Sequence, residues 1–274
     1  MNAVPGANPA ILEDAGPAGG CPAAAPARPP LRKLVAARRP AGPALASDTV
    51  WLFDLDNTLH DCSRHIFPAI DGAMTATMAE LLGLEREQAD ILRNEYWARY
   101  GATAIGLERH HGIPAADFLE ASHRFDVAPL VHAERGIARK LARLPGRRIL
   151  LTNAPQKYAR EVLRALGILQ EFELLWTIDH MRLQGRLRPK PSAAMLRQLL
   201  ARLRVPASRV VLVDDTLKNL RSARSLGMRT VLSHHPGTPH NPYQHGRGDY
   251  VDMRVTRIGQ LLADRRRRVG KRPV

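Results

Sequence analysis

The stretch TVWLFDLDNTLH, residues 49–60, places two carboxylates at the end of an apolar run. Residues 50–53 are apolar without interruption, which is typical of a strand whose two faces are both covered. Asp54 and Asp56 follow this strand two positions apart. Because two like charges repel each other and resist burial, their position predicts a functional site rather than a structural one.

Beyond this stretch the chain alternates short apolar runs with helical patterns. This alternation is typical of an α/β fold with a parallel sheet. Gly167 and Gly227 stand where the ends of two predicted helices favour a left-handed residue. The predicted strands cover residues 50–54, 148–152, 173–178, 209–214 and 229–233, with a weaker one at 249–253, and the predicted helices cover 134–144, 158–167, 193–203 and 219–227.

One segment interrupts the alternation, because residues 62–130 contain helical periodicity and no convincing strand. We therefore predict a small α-helical cap over residues 61–134, inserted after the first strand and placed above the carboxyl edge of the sheet. The core would comprise residues 49–60 and 135–253. The apolar stripes of the cap are Ile66, Ile70, Met74, Met78 and Leu81 in one helix and Leu92, Tyr96 and Tyr100 in another.

The two ends of the chain differ in composition from the core. Residues 1–48 are rich in Ala, Pro and Gly, which predicts a disordered arm. Residues 254–274 comprise a predicted helix end and a basic tail, and they carry a balance of +7 out of the net charge of +15. The basic character is therefore mainly a property of the tail, which could contact nucleic acid weakly and without specificity.

Cysteine content and hydropathy argue against a disulfide-bonded or zinc-motif protein and against a membrane-spanning one. Cys21 and Cys62 are the only cysteines, and neither has the spacing of a zinc motif or a disulfide framework. No apolar run approaches the roughly 18 residues that a membrane-spanning helix needs. The sequence therefore predicts a cytoplasmic protein without a membrane span.

Polar residues follow several of the predicted strands, and parallel strands end at one edge of a sheet. A cluster of carboxylates at that edge persists when a cation neutralises it, and oxygen donors suit Mg²⁺. A metal with a lysine and a Thr/Asn pair is typical of a phosphate site, where a carboxylate such as Asp54 can act as nucleophile and Asp56 as acid and base. The residues expected to converge are Asp54, Asp56, Thr152, Asn153, Lys190, Asp214 and Asp215.

Four motifs, FDLDNTL, LLTN, RPKP and LVDD, resemble in their order and spacing those of the haloacid dehalogenase superfamily. The helical block between the first two resembles the C1-type cap of subfamily IA. The resemblance implies a Rossmann-like core and an Mg²⁺-dependent phosphatase that forms an aspartyl-phosphate. Segments of the cap and of the second motif are similar to the pyrimidine 5′-nucleotidase-like branch, which implies a nucleoside 5′-monophosphate as substrate. His60 departs from this branch, where many relatives have Tyr.

The resemblance also implies a role for each motif residue. Asp54 would be the nucleophile and a metal ligand, and Asp56 would be the acid and base and would bind the metal through its carbonyl. Thr152 and Asn153 would hold phosphoryl oxygens. Lys190 would neutralise both the nucleophile and the phosphate. The fourth motif would complete the metal site through Asp215, with Asp214 assisting.

Several alternatives stay open at the level of sequence. The substrate could be another small phosphorylated metabolite, such as phosphoglycolate or a sugar phosphate, and the enzyme a phosphatase or a phosphomutase. A polyanion-binding protein that uses its basic tail is a further alternative. Tyr96, Tyr100 and Trp97 could stack on a nucleobase, although a core stripe is the commoner reason for such spacing. Asn219 could order the metal loop or cap a helix.

Overall fold

A central parallel sheet is the main feature of the computed structural model, which describes residues 48–234 and 249–262. Its strands are β1 (Val50–Phe53), β2 (Arg147–Leu151), β3 (Leu174–Trp176), β6 (Val210–Asp214), β7 (Arg229–Ser233) and β8 (Met253–Val255), and a separate antiparallel hairpin is formed by β4 (Arg182–Leu183) and β5 (Arg186–Leu187). All neighbouring strands of the sheet pair in parallel, in the order β3-β2-β1-β6-β7-β8. This confirms the predicted α/β class.

The register of the sheet brings the ends of its central strands together. Val50 is aligned with both Arg147 and Val210, so β1 lies between β2 and β6. All four residues of β1 are buried, which agrees with its uninterrupted apolar sequence. Since the three strands run in the same direction, the residues that follow them share one edge of the sheet.

Helices cover both faces of the sheet. Alternate residues of β1 point to opposite sides: Leu52 packs with α7 and α8, whereas Phe53 packs with α5 and α6. Each face therefore has its own apolar cluster. These helices are α5 (Ile137–Ala142), α6 (Gln156–Ala165), α7 (Ala193–Leu203) and α8 (Leu217–Ser225), and short 3-10 turns lie at Ala128–Leu130, Leu169–Glu171, Ile178–His180 and Ala207–Arg209.

Four helices form the segment between β1 and α5, as the periodicity predicts. Most of their buried apolar side chains, including Met78 and Phe118, join the apolar cluster that contains Leu52, whereas Ile66 and Ile70 join the cluster that contains Phe53. An ion pair between Arg182 of the β4–β5 hairpin and Glu108 of α3, 2.5 Å long, links this block to the core. The helices are α1 (Ile66–Leu82), α2 (Arg86–Tyr100), α3 (Thr103–His111) and α4 (Ala115–Ser122).

The structure corrects two sequence expectations. Leu81 is 46% exposed, because the buried face of α1 runs through Ile70, Thr75 and Met78 instead. The sixth strand is Met253–Val255 and not 249–253. Before it, the Asp252 N–H donates to the Thr230 carbonyl, whereas the Thr230 N–H donates to the carboxylate of Asp252, so the pairing there combines backbone and side-chain bonds.

Other expectations fall on residues outside the described ranges. The predicted arm lies there apart from its last residue, and so do the segment 235–248 and most of the basic tail. Within the described ranges, no helix combines the length and apolarity that a bilayer span requires.

Gly146 is a position where the fold requires glycine. Its φ is +92°, and a Cβ built there would lie 2.0 Å from the carbonyl oxygen of Thr49, at the point where β2 begins beside β1. We expect Gly146→Ala to lower the free energy of unfolding by roughly 2–4 kcal/mol in urea denaturation. Gly185→Ala is the matched control, because Gly185 also has a positive φ of +75° but no neighbour within 4 Å. Equal losses in the two variants would contradict the steric argument.

Candidate active site

A buried row of charges lies at the carboxyl edge of the sheet. The ammonium group of Lys190 is 2.7 Å from Asp54 Oδ1 and 2.8 Å from Asp214 Oδ2, so it bridges the ends of β1 and β6. All three side chains are buried. The backbone N–H of Asp54 donates to the carbonyl of Val213, which continues the β1–β6 ladder and fixes the position of Asp54.

Burial and mutual repulsion control the protonation of these groups. Burial, with a further contribution from the carboxylates of Asp214 and Asp215, raises the pKa of Asp54 well above its usual range. Burial and the neighbouring Asp214 raise the pKa of Asp215 to about 7. Burial alone would lower the pKa of Lys190, but Asp214 and Asp54 raise it above its ordinary value. The site therefore holds the Lys190 cation close to two carboxyl groups, Asp54 and Asp215, that resist ionisation.

The fourth motif is ordered by its own loop. The amide of Asn219 donates to both carboxylate oxygens of Asp214, at 2.9 and 3.1 Å, and the backbone N–H of Thr216 donates to Oδ1 at 2.8 Å. The Thr216 hydroxyl also donates to Asp215. Of the two roles that the sequence left open, the structure therefore gives Asn219 the ordering of the fourth-motif loop.

The donor set at this edge fits a divalent cation with a preference for oxygen. Oxygen atoms of Asp54, Asp214 and Asp215 all lie within 4.8 Å of one another. Three carboxylates against the one ammonium group of Lys190 leave two negative charges at full ionisation. A bound Mg²⁺ would balance them and would favour the ionised forms of Asp54 and Asp215.

Asp56 faces a different set of side chains from Asp54. Its Oδ1 accepts hydrogen bonds from the hydroxyl of Tyr158 at 2.8 Å and the thiol of Cys62 at 3.1 Å, and lies 3.2 Å from His60 Nε2. Burial opposes ionisation of Asp56, but its hydrogen bonds, first that from His60, lower its pKa below the usual value. Asp56 is therefore held as an ionised carboxylate, the form that accepts a proton.

Thr152 and Asn153 of the second motif, LLTN, make different kinds of contact. The hydroxyl oxygen of Thr152 accepts from the backbone N–H of Ala154, which leaves the hydroxyl proton for another acceptor. The side chain of Asn153 instead bonds to Lys190: its amide nitrogen donates to the Lys190 carbonyl at 3.1 Å, and its oxygen accepts from the Lys190 N–H at 2.8 Å. The Asn153 side chain thus positions the lysine.

Some residues of the site carry no role in the sequence interpretation. Tyr158 bonds to Asp56 across 102 positions of sequence, and no local pattern indicates that contact. Cys62 reads as an isolated cysteine, and His60 only as a departure from a branch of relatives. The spacing of Asp56, His60 and Cys62, at i, i+4 and i+6, is the one signal that could have indicated their cluster.

Tyr96, Tyr100 and Trp97, the cap residues considered for stacking on a nucleobase, differ in their surroundings. Tyr96 is buried and its hydroxyl bonds to His111, while Trp97 is 64% exposed. The guanidinium of Arg99 lies over the ring of Tyr100.

Comparison with known proteins gives a match over most of the described residues. The model of the haloacid dehalogenase-like hydrolase family matches residues 50–227. The chain is similar to an N-acetylmuramic acid 6-phosphate phosphatase of Pseudomonas putida, at 29% identity over 190 residues, which cover 66% of this chain and 80% of the relative. It is also similar to a phosphoglycolate phosphatase of Pectobacterium atrosepticum, at 26% identity over 196 residues, which cover 65% and 77% of the two chains.

A solved structure shares the fold. CbbY from Rhodobacter sphaeroides, crystallised in complex with phosphate, superposes with a TM-score of 0.55 and 23% identity over 78% of this chain and 96% of that one. The two curated relatives are named as phosphatases of a sugar phosphate and of phosphoglycolate. The comparisons therefore favour the alternative substrates of the sequence analysis over a nucleoside monophosphate.

Proposed function

The chain belongs to the haloacid dehalogenase-like hydrolase family, and from this premise we propose that it is an Mg²⁺-dependent phosphomonoesterase that acts on a small phosphorylated sugar or hydroxy acid. The observation that carries the proposal is the bridge from Asp54 through Lys190 to Asp214, with Asp215 beside it. A carboxylate nucleophile, a fixed ammonium group and an oxygen-lined metal site are the parts that phosphoryl transfer needs.

In this proposal Asp54 attacks phosphorus through Oδ2. Its other oxygen, Oδ1, accepts the hydrogen bond from the Leu55 N–H at 2.8 Å and contacts Lys190. These two contacts hold the carboxylate in one orientation and leave Oδ2 for the substrate. Mg²⁺ bound by Asp54, Asp214, Asp215 and the Asp56 carbonyl would supply charge neutralisation for the phosphoryl group.

The remaining groups hold the phosphoryl group in place. Lys190 neutralises charge on both the nucleophile and the phosphoryl oxygens. The Thr152 hydroxyl donates its proton to a phosphoryl oxygen, since its oxygen already accepts from Ala154. Residue 153 contacts the phosphoryl group through its backbone N–H, because its side chain is committed to Lys190.

Asp56 serves both steps of the reaction by moving a proton. When Asp54 forms the acyl-phosphate bond, the bond from phosphorus to the leaving oxygen breaks, and Asp56 donates a proton to that oxygen. In the second step Asp56 takes a proton from the water that attacks phosphorus and releases Asp54. The three hydrogen bonds at Asp56 stabilise its ionised form, so they favour the second step, and the first step requires the carboxyl group to leave them.

The substrate class rests on the relatives and on the aromatic residues of the cap. N-Acetylmuramic acid 6-phosphate and phosphoglycolate, named for the two relatives, are a sugar phosphate and a hydroxy-acid phosphate. Tyr96, a candidate for stacking on a base, is buried within the cap, and its hydroxyl is engaged by His111. This argues against a base-stacking role for that ring.

A substrate panel tests the proposal. We expect phosphate release from sugar 6-phosphates or phosphoglycolate with a kcat/KM at least about tenfold above that for UMP and CMP, a difference of about 1.4 kcal/mol in transition-state binding. Chelation of divalent ions should abolish the activity, and added Mg²⁺ should restore it. Preference for UMP or CMP would contradict the proposed substrate class, and phosphate retained on the substrate would indicate a phosphomutase instead.

A further inference from the structure

A second cluster of metal-binding atoms adjoins the carboxylate site, and its donors are chemically different. Asp56 Oδ1, His60 Nε2 and Cys62 Sγ form a nearly equilateral triangle with edges of 3.1, 3.2 and 3.2 Å. We propose that this triangle is a site for Zn²⁺ or a similar soft divalent ion, and that an ion bound there inhibits the enzyme by occupying Asp56. The inhibitory part rests on the proposed function, whereas the binding part does not.

The dimensions of the triangle suit tetrahedral zinc. Bonds of about 2.0–2.1 Å to nitrogen or oxygen and about 2.3 Å to sulfur place the donors of a tetrahedral site roughly 3.3–3.6 Å apart. The triangle therefore needs to widen by only a few tenths of an ångström. A thiolate, an imidazole and a carboxylate are a donor set that zinc accepts and that Mg²⁺ does not favour.

The loop after β1 supplies all three donors of this triangle. Asn57 adopts a left-handed conformation with φ +55°, and its side-chain oxygen accepts from the N–H of Cys62 at 3.0 Å and from the hydroxyl of Ser63 at 3.1 Å. These bonds fold the loop back so that Asp56, His60 and Cys62 meet. The loop is thus shaped by groups other than the three donors.

The cluster is open to solvent on the side of Asp56. His60 and Cys62 are fully buried, while 19% of the side chain of Asp56 is exposed. An ion would enter past Asp56 and complete its coordination with water. Tyr158, which donates to the same carboxylate oxygen at 2.8 Å, lies in the position of an outer partner that orients a ligand.

Binding has a defined proton balance and a defined consequence. The thiol of Cys62 loses its proton to solvent as the Zn–S bond forms, and the neutral imidazole and the carboxylate each donate a lone pair. The carboxylate of Asp56 is then a zinc ligand and can neither donate a proton to the leaving oxygen nor accept one from water. Inhibition should therefore persist when Mg²⁺ saturates the neighbouring carboxylate site.

Cobalt spectroscopy tests the site without reference to activity. With excess Mg²⁺ present, we expect Co²⁺ to give the full-length protein a sulfur-to-cobalt charge-transfer band. The band should disappear in Cys62→Ser and persist in Cys21→Ser, which removes the only other thiol of the chain. His60→Gln is a second variant that should weaken Co²⁺ binding if Cys62→Ser does not fold. Absence of the band in the unmodified protein, or its persistence in Cys62→Ser, would overturn the proposal.

Zinc inhibition tests the consequence. We expect Zn²⁺ to inhibit phosphate release at saturating Mg²⁺. Loss of an outer partner of a metal ligand typically weakens metal binding by about 10- to 100-fold. Loss of a ligand itself in Cys62→Ser should therefore raise the half-inhibitory Zn²⁺ concentration by at least that factor, relative to Cys21→Ser. Relief of inhibition by more Mg²⁺ would place the zinc at the carboxylate site and overturn the proposal. A cobalt band without inhibition would overturn the link to Asp56. A protein that shows the cobalt band but hydrolyses no phosphoester would instead contradict the proposed function.

Discussion

Asp54→Asn is expected to reduce phosphate release by about 10⁴-fold or more, because the amide cannot form the acyl-phosphate bond. The fold should be preserved. An asparagine oxygen can still accept from the Leu55 N–H, and Lys190 keeps its contact with Asp214 at 2.8 Å. Steady-state kinetics together with thermal unfolding would separate the loss of chemistry from a loss of structure.

Asp117→Asn is a suitable control for this variant, since Asp117 is an exposed residue of α4 and the substitution is chemically identical. It should retain full activity. Rapid quenching of the unmodified enzyme with substrate should also trap phosphate on the peptide that contains Asp54. Substantial turnover by Asp54→Asn, in a preparation free of other phosphatases, would exclude Asp54 as the nucleophile.

Lys190→Met is expected to lower both activity and stability. Activity should fall by about 10²–10³-fold, because a fixed positive charge near the transferred group is lost. The variant also leaves Asp54 and Asp214 buried without their shared partner, which typically costs about 3–5 kcal/mol of unfolding free energy. Chemical denaturation in the absence of Mg²⁺ would measure this cost.

The stability loss of Lys190→Met should depend on pH. The pKa of Asp54 is already raised by burial, and removing the ammonium group raises it further. A carboxyl group whose folded pKa is raised favours the fold at low pH, and this contribution is lost as the pH rises through that pKa. The loss should therefore be smaller near pH 5 than near pH 8, and added Mg²⁺ should reduce it at pH 8.

Lys157→Met, at an exposed position of α6, provides the comparison for Lys190→Met. It should leave activity and the pH dependence of stability unchanged. If Lys190→Met lost equal stability at both pH values, the destabilisation would come from packing and not from the unpaired carboxylates.

Much of the fold could be predicted because buried strands and helix faces require apolar residues at regular positions in the sequence. β1 and β6 match the predicted strands within one residue, since residues 50–53 and 210–213 are uninterrupted apolar runs buried in the sheet. α7 begins and ends at the predicted residues, 193 and 203. The sixth strand was misplaced because the Asp252 carboxylate takes the Thr230 N–H that a regular ladder would pair with a backbone carbonyl, and the strand begins only at Met253.

The candidate site was likewise predictable from the sequence only in part. Strand direction brings Asp54 and Asp214 to one edge of any parallel sheet with this strand order, so the sequence alone predicts their convergence. The role of the Asn153 side chain could not be predicted, because a polar side chain takes whichever partner the fold brings near it, and here that partner is the backbone of Lys190. The base-stacking role for Tyr96 loses support for the same reason, since α3 covers it in the tertiary structure.

The sequence by itself determined the α/β class, the family, and the convergence of the four motifs, since these depend on burial patterns and on the order of strands along the chain. The surroundings of Asp56 were decided only by the tertiary structure. Tyr158 comes from a helix 102 positions away, and the turn at Asn57 folds His60 and Cys62 onto the same carboxylate oxygen. Contacts of this kind depend on distances of a few tenths of an ångström between side chains, which residue types and spacing do not encode.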